Sequence, residues 1–146
     1  MARILVVDAD PPISQALTER FVARGVTVSS ATTGREAVSK IFREQPDVVL
    51  LDIQLPDGDG FSVLKKLREE GVDSTVVMIT AFGTVDRAVQ AMKEGAYDFI
   101  QKPFEPALVE ETVRRALERT ALKRIVRSQP PDLPVIGLSS VVETAK

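Results

Sequence analysis

The 146-residue chain contains no cysteine and no histidine. Without cysteine there is no disulfide scaffold, no thiol nucleophile and no thiolate metal site. Without histidine, imidazole general bases, catalytic triads and His-ligated metals are excluded. Charge of one sign is not in excess, because 19 Lys and Arg against 21 Asp and Glu leave a net charge of -2. That balance argues against a nucleic-acid coat, whose footprint is a basic domain. No apolar run approaches the roughly 18 residues of a spanning helix. The run Ile4-Leu5-Val6-Val7 is too short for a signal-peptide core and is closed by Asp8. A cytoplasmic protein is the expectation. Chemistry here must use carboxylates, hydroxyls, lysine and backbone groups.

What is present is a regular alternation. Short aliphatic runs predict strands at 4–8, 26–31, 48–52, 75–80 and 97–101. Three of them, Ile4-Leu5-Val6-Val7, Val48-Val49-Leu50-Leu51 and Val76-Val77-Met78-Ile79, lack polar alternation. This is expected of parallel strands covered on both faces. Helical patterns lie between them. Asp10-Pro11 reads as an N-cap with proline in the first turn, followed by Ile13, Leu17 and Phe21. Thr33-Gly34-Arg35-Glu36 fits a capping box ahead of Ala37, Ile41 and Phe42. Asp59 caps a third helix carrying Phe61, Leu64 and Leu67. Val85, Ala88, Val89 and Met92 form the stripe of a fourth, and Leu108, Thr112, Val113, Ala116 and Leu117 that of a fifth opened by Pro106. Five strands alternating with five helices predict a doubly wound α/β domain with a five-stranded parallel sheet.

The fifth helical pattern runs from Pro106 to about Arg127, roughly 33 Å at 1.5 Å per residue. Leu117, Ala121 and Ile125, or Leu122 and Val126, extend its apolar stripe beyond the sheet. Residues 1–127 are therefore read as one domain with an extended last helix. The segment 128–146, with Gln129-Pro130-Pro131-Asp132-Leu133-Pro134, is read as a linker and the start of something further. Six basic residues, Arg114, Arg115, Arg119, Lys123, Arg124 and Arg127, lie in the last helix. They are interleaved with Glu110, Glu111 and Glu118, which favours a solvated or dimer-facing surface over DNA binding.

Sites in such sheets gather at the carboxyl ends of the strands. Here those ends carry Asp8, Asp52, Thr80 and Lys102. Two neighbouring carboxylates repel unless a cation intervenes, and Mg²⁺ is the natural cation for oxygen ligands. Lys102 neutralises further negative charge, and Thr80 donates to an oxygen arriving at Asp52. This set suits placement of a phosphoryl group on a carboxylate. A mononucleotide binder shares the architecture. However, acidic strand ends repel a phosphate unless a cation mediates, and no Ser/Thr-rich loop cradles one; nor does a G-x-x-x-x-G-K-[ST] loop occur.

The strings Ile4-Leu5-Val6-Val7-Asp8, Val49-Leu50-Leu51-Asp52-Ile53-Gln54-Leu55-Pro56-Asp57-Gly58-Asp59-Gly60, Thr80-Ala81 and Lys102-Pro103-Phe104 resemble bacterial two-component response-regulator receiver domains. The segment from Met78 to Gly83 and the run Gly95-Ala96-Tyr97-Asp98-Phe99 are similar to the NtrC-like subfamily. The resemblance implies a flavodoxin-like strand order 2-1-3-4-5. It implies that Asp52 accepts phosphate from a histidine kinase, that Asp8, Asp52 and the Gln54 backbone carbonyl hold Mg²⁺, and that Thr80 and Lys102 contact the phosphoryl group. It makes Thr80 and Phe99 the switch pair and Lys102-Pro103 a cis peptide. It also implies a homodimer through the fourth helix, fifth strand and fifth helix, with charges Arg87, Asp98 and Arg115 nearby. A longer NtrC-like chain carries a σ54-directed ATPase and a DNA-binding domain as output. The family usually has two adjacent acids after the first strand, whereas this chain reads Asp8-Ala9-Asp10. Asp10 is first of all the N-cap before Pro11, and a ligand role for it comes second. Weakened Mg²⁺ binding is expected. The competing reading is a degenerate receiver that dimerises independently of phosphorylation.

Overall fold

In the computed structural model of the chain, residues 2–128 are described. Five strands, β1 (Arg3–Val7), β2 (Thr27–Ala31), β3 (Val48–Asp52), β4 (Thr75–Thr80) and β5 (Asp98–Gln101), form a parallel sheet in the order β2-β1-β3-β4-β5. Five helices connect and follow them: α1 (Pro11–Val22), α2 (Gly34–Glu44), α3 (Gly60–Glu69), α4 (Val85–Lys93) and α5 (Pro106–Ser128). The expected order is the one observed.

The aliphatic runs explain the layering. Successive side chains of a strand point to opposite faces. Leu5, Val7, Val49, Leu51, Val76 and Met78 pack against Ala37 and Ile41 of α2, Val63, Leu64 and Leu67 of α3, and Ala91 of α4. Ile4, Val6, Val48, Leu50, Val77 and Ile79 pack on the other face against Leu17 and Phe21 of α1 and Val109, Val113 and Ala116 of α5. Each large side chain so buried contributes about 1.5–3 kcal/mol.

Several local expectations shift. Asp10 occupies the N-cap of α1, but its side chain makes no cap bond. Pro11 and Pro12 remove the N–H groups of the first two positions, so the usual acceptor has little to receive. Thr33 caps α2 through the Glu36 N–H at 3.1 Å, while the Glu36 carboxylate returns to the Thr32 N–H at 2.8 Å, one residue before the usual capping-box partner. Phe42 is exposed, being one position round the helix from the buried Ile41. On α4 only Ala91 is buried, and Val85, Val89 and Met92 face solvent, so the stripe that marks this helix in the sequence lies largely outside the core. Leu108 of α5 is likewise exposed. There the buried positions are Val109, Thr112, Val113, Ala116 and Thr120.

The carboxyl-terminal turns of α5 are bolted to the sheet's other pole by polar contacts. Thr120 Oγ1 donates to the Asp47 carbonyl at 2.6 Å and lies 2.7 Å from Thr75 Oγ1. Arg124 pairs with Asp47 and, at 3.3 Å, with Asp73, and donates to the carbonyls of Gln45 and Pro46 at 3.2 and 3.3 Å. Arg127 adds Asp73 at 3.2 Å and the Gly71 carbonyl at 3.1 Å. The extension is therefore held by charge as much as by an apolar stripe, in which Leu122 and Ile125 stay exposed. Of the segment 128–146 expected as a linker, Ser128 is the last residue of α5 and 129–146 lie outside the described residues.

Candidate functional site

The carboxyl ends of the central strands converge on one buried cluster. Asp8 follows β1, Asp52 ends β3 and Thr80 ends β4, and all three are buried at 1%, 6% and 0% exposure. Lys102 follows β5, and its peptide to Pro103 is cis. The backbone continues the sheet to these residues: Asp8 N–H donates to the Ala31 carbonyl at 3.0 Å and Lys102 N–H to the Thr80 carbonyl at 2.8 Å.

One ammonium serves both carboxylates. Lys102 Nζ donates to Asp8 Oδ2 at 2.6 Å and to Asp52 Oδ2 at 2.8 Å. The second oxygen of each acid is taken by a backbone N–H two residues on: Asp10 N–H to Asp8 Oδ1 at 2.8 Å, and Gln54 N–H to Asp52 Oδ1 at 3.0 Å. Burial pushes the Asp8 carboxyl above its ordinary range, and its bonds to Lys102 and the Asp10 N–H only partly oppose this. Burial alone would lower Lys102, but its bonds to Asp52 and Asp8 outweigh that and raise it. The cluster thus holds two carboxylates and one ammonium, an environment short of positive charge.

Asp52 opens a short ribbon, Gln54–Leu55 against Gly58–Asp59, which leads into α3. Gly60 closes it, donating its N–H to the Ile53 carbonyl at 2.6 Å. A Cβ at residue 60 would lie 2.3 Å from the Asp52 carbonyl oxygen, so only glycine fits this approach. Asp59 caps α3 through the Ser62 N–H at 2.9 Å, as the sequence suggests.

Thr80 points its hydroxyl oxygen at the next loop, where it accepts the Phe82 N–H at 3.1 Å. Phe99 is half-buried and packs against the α2–α3–α4 side of the core. Its ring edge borders Gly83, where an added Cβ would lie 3.1 Å from Phe99 Cε1. The structure therefore brings Asp8, Asp52 and Lys102 into direct contact, with Gln54 beside them. It does not bring Asp10 in: among the described residues no group of three acids is placed to hold a metal ion. Ala9 is exposed next to the cluster.

Sequence reasoning missed one long-range contact of the ribbon beside the cluster. Asp57, in the turn of this ribbon, accepts the Gly34 N–H at 2.8 Å and the Arg35 N–H at 3.0 Å, at the amino end of α2. Those two bonds hold its carboxyl below the usual range. No local pattern signals a partner 23 positions away. The arginines of α5 are largely matched to carboxylates, Arg114 to Glu111 and Glu118 at 2.6 Å each and Arg115 to Glu111 at 3.3 Å. Among the described residues no helix is long and apolar enough to cross a membrane.

Comparison with known proteins agrees with this geometry. Residues 4–114 match the response regulator receiver domain family. The chain is 40% identical over 116 residues to the C4-dicarboxylate transport transcriptional regulatory protein DctD of Pseudomonas aeruginosa, covering 80% of this chain and 25% of that protein. The chain spans about a quarter to a third of the length of the first curated relatives it matches. Among solved structures, the receiver domain of a LuxO repressor protein from Vibrio parahaemolyticus superposes with a TM-score of 0.83 at 29% identity, covering 88% of this chain and 98% of that one. The beryllofluoride-activated NtrC4 receiver domain dimer superposes with a TM-score of 0.78 at 39% identity, covering 82% and 99%. Matched along most of its length in sequence, and in strand order and shape with it, the chain belongs to the response regulator receiver domain family, with its likeness to the NtrC4 receiver bearing out the NtrC-like resemblance.

Proposed function

We propose that Asp52 takes up a phosphoryl group from the phosphohistidine of a histidine kinase. An Asp52 carboxylate oxygen attacks phosphorus, the P–N bond breaks, and the imidazole leaves with the electron pair. The observation that carries this reading is the pair of buried carboxylates sharing one ammonium. Phosphoryl transfer needs little beyond positioning and neutralised charge; the cluster offers the positioning and, through Lys102, part of the neutralisation. Lys102 follows the new negative charge. Thr80 exchanges its contact with the Phe82 N–H for one in which its hydroxyl donates to a phosphoryl oxygen. Phe99 turns inward as the loop follows Thr80, which alters the surface of α4, β5 and α5.

The donor set suits a hard divalent cation, since it offers carboxylate oxygens where positive charge is short. Asp8, Asp52 and the Gln54 backbone carbonyl would hold Mg²⁺, which supplies further charge neutralisation for the incoming phosphate. Ala9 leaves this set one carboxylate short of the family pattern and Asp10 lies apart, so affinity is weak. The altered surface carries the exposed side chains Val85, Val89, Met92 and Leu108, which suit contact with a second copy. Arg87, Asp98 and Arg115 flank that homodimer surface. In a longer cytoplasmic chain the switch would act on an ATPase and a DNA-binding output domain controlling transcription.

Intact mass after treatment with acetyl phosphate and Mg²⁺ tests the reading. The wild type gains one phosphoryl group and Asp52→Asn gains none. A wild type that gains nothing while remaining folded would instead mark a dimerisation module independent of phosphorylation, the reading that Ala9 favours.

A further inference from the structure

The first two N–H groups of α2 have no partner within their own helix, as at any helix start. Thr33 serves the next two, its Oγ1 accepting from Glu36 N–H at 3.1 Å and its carbonyl from Ala37 N–H at 3.0 Å. Gly34 and Arg35 are served from elsewhere, by the two carboxylate oxygens of Asp57. Asp57 stands at the turn of the ribbon that starts at Asp52. The base of that ribbon is closed by Gly60 N–H on the Ile53 carbonyl, and Leu55 is buried in the core. Close packing continues the contact: a Cβ on Gly34 would lie 3.1 Å from Val63 Cγ2 and 3.7 Å from Leu55 Cδ1. The ribbon is thereby joined to α2 through the charge at its tip, in addition to its own base.

Gln54 sits between the pinned base and this pinned tip, with its N–H on the Asp52 carboxylate. We propose that Asp57 is a positioning residue for the phosphorylation site: by clasping the amino end of α2 it sets the placement of Gln54, and so governs cation affinity and phosphoryl uptake at Asp52. The proposal rests on reading Asp52 as the phosphoacceptor with the Gln54 carbonyl as a ligand. It also makes α2 a reporter of the site. Coupling between two places is reciprocal, so a ligand at Asp52 must be felt at the Gly34 and Arg35 amides.

The test is a Mg²⁺ titration of ¹⁵N-labelled protein, followed by beryllofluoride, on the wild type and on Asp57→Ala, Asp57→Asn and Thr33→Ala. Groups that orient a metal ligand typically contribute 10–100-fold in affinity, and Asp57 acts one step further out. Asp57→Ala is expected to raise the Mg²⁺ midpoint roughly three- to tenfold, with the Gln54 amide shifted before any metal is added. Asp57→Asn retains one carbonyl acceptor and falls between. Thr33→Ala weakens the same helix end without touching the ribbon, and it keeps the wild-type midpoint. In the wild type, beryllofluoride moves the Gly34 and Arg35 amides.

A wild-type midpoint in Asp57→Ala overturns the proposal, as does an equal rise in Thr33→Ala, which would reduce the effect to general loss of helix stability. Should Asp57→Ala not fold, Asp57→Asn decides: a raised midpoint supports the proposal and an unchanged one overturns it. A wild type that binds neither Mg²⁺ nor beryllofluoride brings down the reading of Asp52 and the proposal together, a result separate from wild-type binding with unchanged variants.

Discussion

Replacing Ala9 by Asp supplies the second acid that the family resemblance implies beside Asp8, and it isolates what that carboxylate does. Ala9 is exposed, so the new charge acts largely through solvent. A unit charge about 4 Å from another contributes about 1 kcal/mol in water, hence about 2 kcal/mol toward a dication. At 1.4 kcal/mol per tenfold, Ala9→Asp should tighten Mg²⁺ binding roughly 30-fold. The sign reverses without metal. Asp8 and Asp52 already share one ammonium, and a third carboxylate leaves the cluster more negative. The metal-free variant should therefore be less stable than wild type, by up to about 1 kcal/mol. Mg²⁺ titration followed by calorimetry, with thermal unfolding at zero and saturating Mg²⁺, measures both. Equal Mg²⁺ affinities in the two proteins would refute the reasoning by putting residue 9 out of reach of the cation, and a metal-free variant more stable than wild type would refute the repulsion from Asp8 and Asp52.

Two further perturbations address the frame around the site. Gly60→Ala places a methyl 2.3 Å from the Asp52 carbonyl oxygen, where the obstacle is backbone and cannot swing aside. A loss of roughly 3 kcal/mol or more in denaturant unfolding is expected, with impaired phosphoryl uptake; a loss under about 1 kcal/mol would contradict the close approach. Arg124→Ala removes that residue's ion pairs to Asp47 and Asp73 while leaving the contacts of Thr120 and Arg127, and a loss of about 1–2 kcal/mol is expected for charged bonds partly open to solvent. Burial alone would raise the Asp73 carboxyl, but its bonds to Arg124 and Arg127 hold it below its ordinary 3.8. A depressed acid stabilises the fold above its unfolded value and loses that contribution as pH falls through the folded one. The gap between wild type and Arg124→Ala in urea midpoints should be full at neutral pH and narrow below about pH 4. A gap that widens in acid would contradict it.

Much of this molecule is legible along the chain, because the relevant signals are short in range. The unbroken runs Ile4–Val7 and Val48–Leu51 announce strands buried on both faces, since nothing polar alternates with them. Asp8, Asp52, Thr80 and Lys102 announce a polar cluster at one edge of the sheet, because parallel strands direct all their carboxyl ends there. Asp59 and Thr33 announce helix starts through N–H groups three residues ahead.

What tertiary structure alone decides are matters between distant positions. Whether Asp57 fills its own turn or clasps α2 depends on a residue 23 positions away, and the seating of Arg124 on Asp47 on one 77 away. The apolar residues of α4 share a helical stripe whether or not the sheet reaches them, and only the packing of Ala91 leaves Val85, Val89 and Met92 in solvent. Periodicity states which side chains share a face; it carries no information about what that face meets. That is settled when the strands pair and the helices close over them.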